Sequence, residues 1–263
     1  VRICYTIHMT AKIVVGNWKM NPTARVKAKD VYQKNARAAQ NLKKARAVLC
    51  VPYVYLDMLH NLSGAPRLAL GVQDVFYEKE GSRTGEISVP MVKDLGTTHV
   101  IVGHSERRVL GEDTATVAKK ARAVVANGLT AVVCVGEHER DEDGVFYDTL
   151  SEEIIASLHR VEPAYFTRLI VAYEPLWAIG KSAEEAMSGA QMSEMAIFIR
   201  KVITDAFGAD AAQALSVIYG GSVDASNAQD IIENGRIAGV LPGRASCNPK
   251  EFAGILHIAD ELS

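Results

Sequence analysis

Leu169-Ile170-Val171-Ala172-Tyr173 is followed at once by Glu174-Pro175, with Trp177 and Gly180 close behind. An unbroken apolar run of this length reads as a strand buried on both faces. It stops at an ionisable residue, and Pro175 both bars regular pairing and stiffens the exit. A carboxylate at the mouth of a buried strand, under a loop with a large aromatic, is a poor core element and a good candidate base.

Working outward, the same pattern recurs. Strand-like runs fall at Ile13–Gly16, Ala47–Val51, Leu68–Val72, His99–Val102, Ala131–Val135, Leu169–Tyr173, Ser216–Tyr219 and Gly239–Leu241. Most are continuous rather than alternating, as parallel strands covered on both faces should be. Amphipathic stretches separate them at Ala24–Leu42, Val54–Leu62, Val89–Leu95, Thr114–Ala126, Phe146–Val161, Met192–Phe207, Asn227–Glu233 and Pro249–Ile258. Met195, Ile199, Val202, Ile203 and Ala206 form the stripe of a helix lying on a core. Helix stops stand at Asn127-Gly128 and Asn234-Gly235.

Eight strands alternating with eight helices, with no linker-like or low-complexity block between them, imply a parallel sheet with right-handed crossovers. An open doubly wound sheet is the alternative. The length of 263 residues favours a closed (β/α)8 barrel, a single catalytic domain over residues 10–263. Residues 1–9 read as a short extension of unknown role. In such a barrel, chemistry gathers at the carboxyl ends of the strands.

Composition narrows the function. At 48% hydrophobic and 23% charged the chain is ordinary globular material. Its net charge of -2 gives no basic excess for a nucleic acid. No apolar run reaches the roughly 18 residues of a membrane span, and the first residues are too short for a signal segment. Cys4, Cys50, Cys134 and Cys247 form no CxxC pair and read as free thiols in a reducing compartment, which points to the cytoplasm. The seven histidines show no ligand spacing, so no metal is expected.

The strand ends carry polar residues in turn. Asn17-Trp18-Lys19 follows the first strand, and Lys19 is either a cation for a phosphate or developing charge, or a surface lysine beside a core tryptophan. Gly103-His104-Ser105-Glu106-Arg107-Arg108 follows the fourth. Ser105-Glu106 can start a helix with His104 just ahead of it, where the helix-end potential favours neutral imidazole. A structural histidine is the other reading. Arg107 stands where a GxSxG elbow needs its last glycine. Gly180-Lys181-Ser182 is not a P-loop, since Pro175 occupies the position of its first glycine, and no GxGxxG supports a dinucleotide. Tyr219-Gly220-Gly221-Ser222-Val223 and Leu241-Pro242-Gly243-Arg244-Ala245-Ser246 follow strands seven and eight. Each alone reads as a turn; together they occupy the place where barrels often build a phosphate site. The polar loop Gln73–Ser88 is either mobile surface or an interaction arm.

At these residues the chain resembles the triosephosphate isomerase family. The matching stretches are Gly16–Asn21, Thr84–Ser88, Gly103–Arg108, Cys134–Glu137, Ala172–Gly180 and Tyr219–Val223, in the family's order and spanning the chain from about Lys12. The resemblance implies cofactor-free proton transfer on a triose phosphate. This family is itself a standard example of pKa tuning by environment, so the acid–base roles are implied by the likeness. Glu174 would move the proton between neighbouring carbons. Neutral His104 would polarise the carbonyl, Lys19 with Asn17 would stabilise the enediolate, and Glu106 would organise Lys19 and His104. Gly180, Ser222 and the Gly243-Arg244 backbone would hold the phosphate. Pro175–Ala183 would be a lid, and the loop around Thr84 an arm reaching a second copy in a homodimer. An isomerase of a four-carbon ketose phosphate and a non-catalytic phosphometabolite-binding barrel are the alternatives.

Three departures from the family stand out. Gly180-Lys181-Ser182-Ala183 lacks two residues of the usual lid, with a longer Glu184–Gln191 after it. Arg244 stands in place of a glycine, so its side chain is expected to point away from the phosphate. Pro242 is unexpected at a barrel strand's end, because it offers no ladder donor.

Overall fold

The computed structural model describes residues 11–62, 64–141, 143–178, 180 and 186–263. The extension expected over residues 1–9 lies outside them. β1 (Ile13–Asn17), β2 (Arg46–Val51), β3 (Leu68–Val72), β4 (His99–Val102), β5 (Thr130–Val135), β6 (Leu169–Tyr173), β7 (Ser216–Tyr219) and β8 (Gly239–Val240) pair in sequence order, all parallel. β8 returns to β1 through Ile13–Gly239 and Val14–Val240, which closes the barrel and excludes the open sheet. Closure brings backbone onto backbone here: a Cβ on Gly239 would lie 1.7 Å from the Ile13 carbonyl oxygen.

The outer layer is α1 (Arg25–Ala39), α2 (Tyr53–His60), α3 (Val89–Asp94), α4 (Ser105–Val109), α5 (Thr114–Ala126), α6 (Val145–Leu158), α7 (Gly189–Phe207), α8 (Ala209–Ala214), α9 (Ala228–Glu233) and α10 (Pro249–Glu261). The expected count of eight helices is short by α4 and α8. α4 is a single short segment on the loop after β4. α8 is split from α7 by Gly208, whose φ of 93° no helix continues. α7 starts three residues before the expected Met192, because Ser188 and Gln191 form a capping box, each side chain accepting the other's backbone N–H.

The strands' continuous apolar runs serve two separate cores. Ile13, Val15, Val48, Cys50, Ile101, Val132, Cys134, Ile170, Ala172, Ile218 and Leu241 fill the barrel interior. Val14, Leu49, Val102, Val133, Val171, Tyr173 and Val217 alternate with them and pack outward against the helices. Each fully buried aliphatic side chain is worth about 1.5–3 kcal/mol by transfer. The expectation of strands buried on both faces therefore holds, for a geometric reason: one face lies inside a cylinder and the other beneath a helix.

β8 ends at Val240, one residue before the expected Leu241. Pro242 thus follows the last paired residue of β8; it offers no N–H, but its carbonyl still accepts the Asn17 N–H at 2.9 Å. Among the described residues no helix is long and apolar enough to cross a membrane. Cys50 and Cys134 are buried free thiols and Cys247 is a half-buried one.

Candidate active site

A cavity of about 650 Å³ opens at the carboxyl ends of the strands. Asn17, Lys19, His104, Glu106, Glu174, Gly180, Ser222, Gly243 and Arg244 all line it. Residues from five strand ends, separated by up to about 230 positions in the chain, therefore face one space.

Glu174 is 2% exposed. β6 carries it there because its N–H continues the ladder to the Val135 carbonyl at 2.8 Å, so the backbone is fixed up to the residue itself. Its carboxylate accepts the Ser105 N–H at 3.2 Å through Oε2. Oε1 lies 3.3 Å from His104 Nε2. Gly220 makes room for this side chain: a Cβ there would come within 2.6 Å of Glu174 Cγ. The paired glycines were expected only to bring N–H groups near an anion. Gly220 instead clears the space that Glu174 occupies.

His104 precedes α4 and caps it. Its Nδ1 accepts the Glu106 N–H at 3.2 Å, so that nitrogen carries no proton. The neutral ring then holds its proton on Nε2, the nitrogen that faces Glu174 and the cavity. The two arginines after Glu106 pull the loop tight from both sides. Arg107 pairs with Asp74 beyond β3 at 2.9 Å. Arg108 donates to the carbonyls of Gly103 at 2.8 Å and Cys134 at 3.2 Å, and pairs with Glu153 at 2.9 Å. Burial raises the carboxyl pKa of both Asp74 and Glu153, partly offset by their cationic partners.

Lys19 has a left-handed backbone, φ 54°, which a non-glycine residue adopts only when its surroundings hold it. Its N–H donates to Asn17 Oδ1 at 3.0 Å, and its carbonyl accepts Gln73 Nε2 at 2.9 Å. Gln73 was assigned by sequence only to the start of an arm. Gln73 thus supports the site residues Asn17 and Lys19 from behind, and its side-chain amide also lies 3.3 Å from Asn17 Oδ1. Lys19 Nζ pairs with Glu106 Oε1 at 2.8 Å, so Glu106 contacts both residues it was expected to organise.

Ser222, Gly243 and Arg244 also line the cavity, Gly243 beside the Lys19 side chain. Among the described residues, the backbone N–H groups of these three donate to no protein acceptor. Unpaired N–H groups beside a cavity are the kind of donor that can receive an anion. Of the expected lid, only Pro175–Ala178 and Gly180 are described. Trp177 Nε1 donates to Glu137 at 2.9 Å, and the buried Glu137 also accepts the Tyr173 hydroxyl at 2.7 Å. Burial and the Glu137 charge raise the Tyr173 pKa and keep it a donor. Arg140 caps this group, 5.0 Å from the Trp177 ring. Burial, then the Glu174 charge, pushes the Cys134 thiol pKa up, which keeps it an inert neighbour of the carboxylate.

The arm departs from the barrel between Gln73 and Ser88. The Phe76 N–H donates to the Ile87 carbonyl at 2.8 Å at its base, Glu78 pairs with Arg83 at 3.0 Å, and Lys79–Glu86 are exposed.

A family model described as triosephosphate isomerase matches residues 12–259. The chain is 36% identical over 251 residues to the triosephosphate isomerase of Roseiflexus sp. (strain RS-1), covering 95% of this chain and 98% of that protein. It is 38% identical over 251 residues to that of Moorella thermoacetica, covering 95% and 99%. Against that of Alkaliphilus oremlandii it is 34% identical, covering 95% and 100%.

Proposed function

The chain belongs to the triosephosphate isomerase family, and from that premise we propose that it interconverts dihydroxyacetone phosphate and glyceraldehyde 3-phosphate at this cavity. The observation that carries the assignment is the Glu174–His104 pair. A carboxylate and a neutral imidazole N–H stand 3.3 Å apart in a cavity that also holds a cation and unpaired backbone N–H donors.

The reaction follows from those positions. With the phosphate on the N–H groups of Ser222, Gly243 and Arg244 and on the Gly180 loop, the carbonyl end lies toward Lys19 and His104. Glu174 leaves Ser105 and takes a proton from the carbon beside the carbonyl, becoming the carboxylic acid. Electrons flow from that C–H bond onto the carbonyl oxygen, and an enediolate forms. His104 donates through Nε2 to that oxygen, while Lys19, with Asn17 beside it, balances the charge. Glu106 holds Lys19 by its carboxylate and His104 by its N–H. A proton moves between the two oxygens by way of His104. Glu174 then returns its proton to the neighbouring carbon, which completes the isomerisation with no net gain or loss. The family resemblance assigns the exclusion of water from the intermediate to Pro175–Ala183, of which Pro175–Ala178 and Gly180 lie within the described residues.

The protein acts as a homodimer. Met20, Val54, Val109 and Leu110 are each at least 75% exposed, and they follow β1, β2 and β4, the strands around β3, after which the Gln73–Ser88 arm departs. Exposed apolar residues gathered beside a projecting arm suit a second copy. Monomer alone by light scattering at micromolar protein would refute this. We place the enzyme in the cytoplasm, serving glycolysis and gluconeogenesis.

A coupled assay tests the function, with glyceraldehyde 3-phosphate run beside a four-carbon ketose phosphate. The expected result is a kcat/KM at least tenfold higher for the triose. A preference for the four-carbon substrate would replace the assignment with the longer one. No turnover of either, with inorganic phosphate still bound, would leave a binding barrel.

A further inference from the structure

Among the described residues two cationic side chains line the cavity, Lys19 and Arg244, and their circumstances differ. Lys19 is held at 2.8 Å by the Glu106 carboxylate. Its charge is largely compensated before any substrate enters. Arg244 is exposed and makes no ion pair or hydrogen bond among the described residues. Two further carboxylates line the cavity, Asp224 and Glu251, each with one oxygen engaged elsewhere and neither paired with Arg244. Asp224 accepts the Ser226 N–H at 2.8 Å and its hydroxyl at 2.6 Å. Glu251 accepts the Ala225 N–H at 3.3 Å.

Arg244 also sits among the unpaired N–H donors. Its own N–H and that of Gly243 are two of the free donors, and a Cβ on Gly243 would lie only 3.3 Å from Lys19 Cε. A phosphate monoester near neutral pH brings close to two negative charges. Backbone dipoles supply only partial charge against it, and Lys19 is already paired.

We propose that the Arg244 guanidinium is the phosphate's counter-ion and a specificity-determining group for the phosphorylated substrate. This goes beyond its backbone donor and reverses the expectation that its side chain turns away. The unpaired guanidinium rotates inward when the anion seats and donates in a bidentate manner to two phosphate oxygens. The inference rests on the cavity being a phosphate site, as in the proposed function.

Arg244→Ala and Arg244→Lys both keep the backbone N–H, which isolates the guanidinium. Calorimetry with inorganic phosphate and steady-state kinetics with glyceraldehyde 3-phosphate are measured on both variants and on the unaltered protein. Arg244→Ala should raise the phosphate Kd and the triose phosphate KM together, by about tenfold, with kcat within twofold. Arg244→Lys should recover part of both losses, since it restores charge without the fork. The salt dependence of phosphate binding should be shallower in Arg244→Ala. An unchanged phosphate Kd in a normally folded Arg244→Ala protein would overturn the proposal, as would a fall in kcat at constant KM. The phosphate titration keeps the two claims apart. If the unaltered protein binds phosphate but turns over no triose, the isomerase assignment fails and the Arg244 comparison still decides this one.

Discussion

β4 has a histidine at each end. His99 opens the strand at the barrel's amino end, and His104 follows it at the carboxyl end. The two are five residues apart in sequence and face opposite mouths of the same cylinder. His99 Nδ1 lies 2.7 Å from the Thr98 hydroxyl, among strand-start residues such as Arg46. Burial, then the Arg46 charge, lowers its pKa to about 4. His104 instead gives Nδ1 to a backbone N–H and aims Nε2 at Glu174. At one end of the barrel, among the described residues, the histidine ring meets only the hydroxyl of its chain neighbour. The other end holds a histidine still so that its free nitrogen can act. Residue type does not separate them; the partner on Nδ1 and the direction of the ring do.

Altering the carboxyl end should cost turnover and little else. The largest effect is expected from Glu174→Gln, which keeps the shape and removes the base: kcat should fall by about three to four orders of magnitude, with inorganic phosphate affinity within a fewfold. Turnover close to that of the unaltered protein would remove Glu174 from its role. His104→Gln comes next, with kcat lower by about two to three orders of magnitude and thermal stability changed by no more than about 1 kcal/mol. If His104→Gln lost stability rather than turnover, the two histidines would be alike after all. Gly220→Ala sharpens the geometry. The added Cβ meets Glu174 Cγ at 2.6 Å, so it should displace the carboxylate and lower kcat roughly tenfold to a hundredfold.

The smallest expected effect lies at the amino end. A histidine whose folded pKa is about 4, against about 6.5 unfolded, stays neutral in the fold while the unfolded chain takes up a proton. The unfolded state binds more protons between those values, so stability is full above about pH 6.5 and declines as pH falls toward 4. His99→Asn should remove roughly 2 kcal/mol of that decline, read by urea melts across the window, and leave kcat at pH 7.5 unchanged. Equal acid sensitivity with and without His99 would show that the histidine is not what the amino end titrates.

Much of the fold was legible because parallel strands leave continuous apolar runs and barrel helices leave 3.6-residue stripes. Leu169–Tyr173 and Thr114–Ala126 fall where those periodicities put them. The start of α7 was missed because a capping box extends a helix ahead of its apolar stripe. α4 and α8 are too short to show a period, and they escaped the count for that reason. At the site, Glu174 stood out because an ionisable residue rarely ends a buried strand without cause, whereas Lys19 and His104 each kept a structural reading until the likeness to the family set them beside it. Gln73 did not stand out, since an uncharged polar residue at a strand end carries no such contrast. Gly220 was noticed for the wrong reason: a pair of glycines records that space is needed and does not say what fills it.

By itself the sequence determined the alternation of strands and helices, the residues that close each strand and membership of a family. Those are properties of local periodicity and of residue order, and both are written along the chain. Tertiary structure alone decided that Gly220 yields its space to Glu174, that Gln73 secures a strained Lys19, and that Arg244 stands unpaired at the cavity while Lys19 is already bound. Each of these depends on angles and distances between residues far apart in sequence. Barrel closure brings them to within a few ångströms of one another, and no spacing along the chain encodes which atoms then meet.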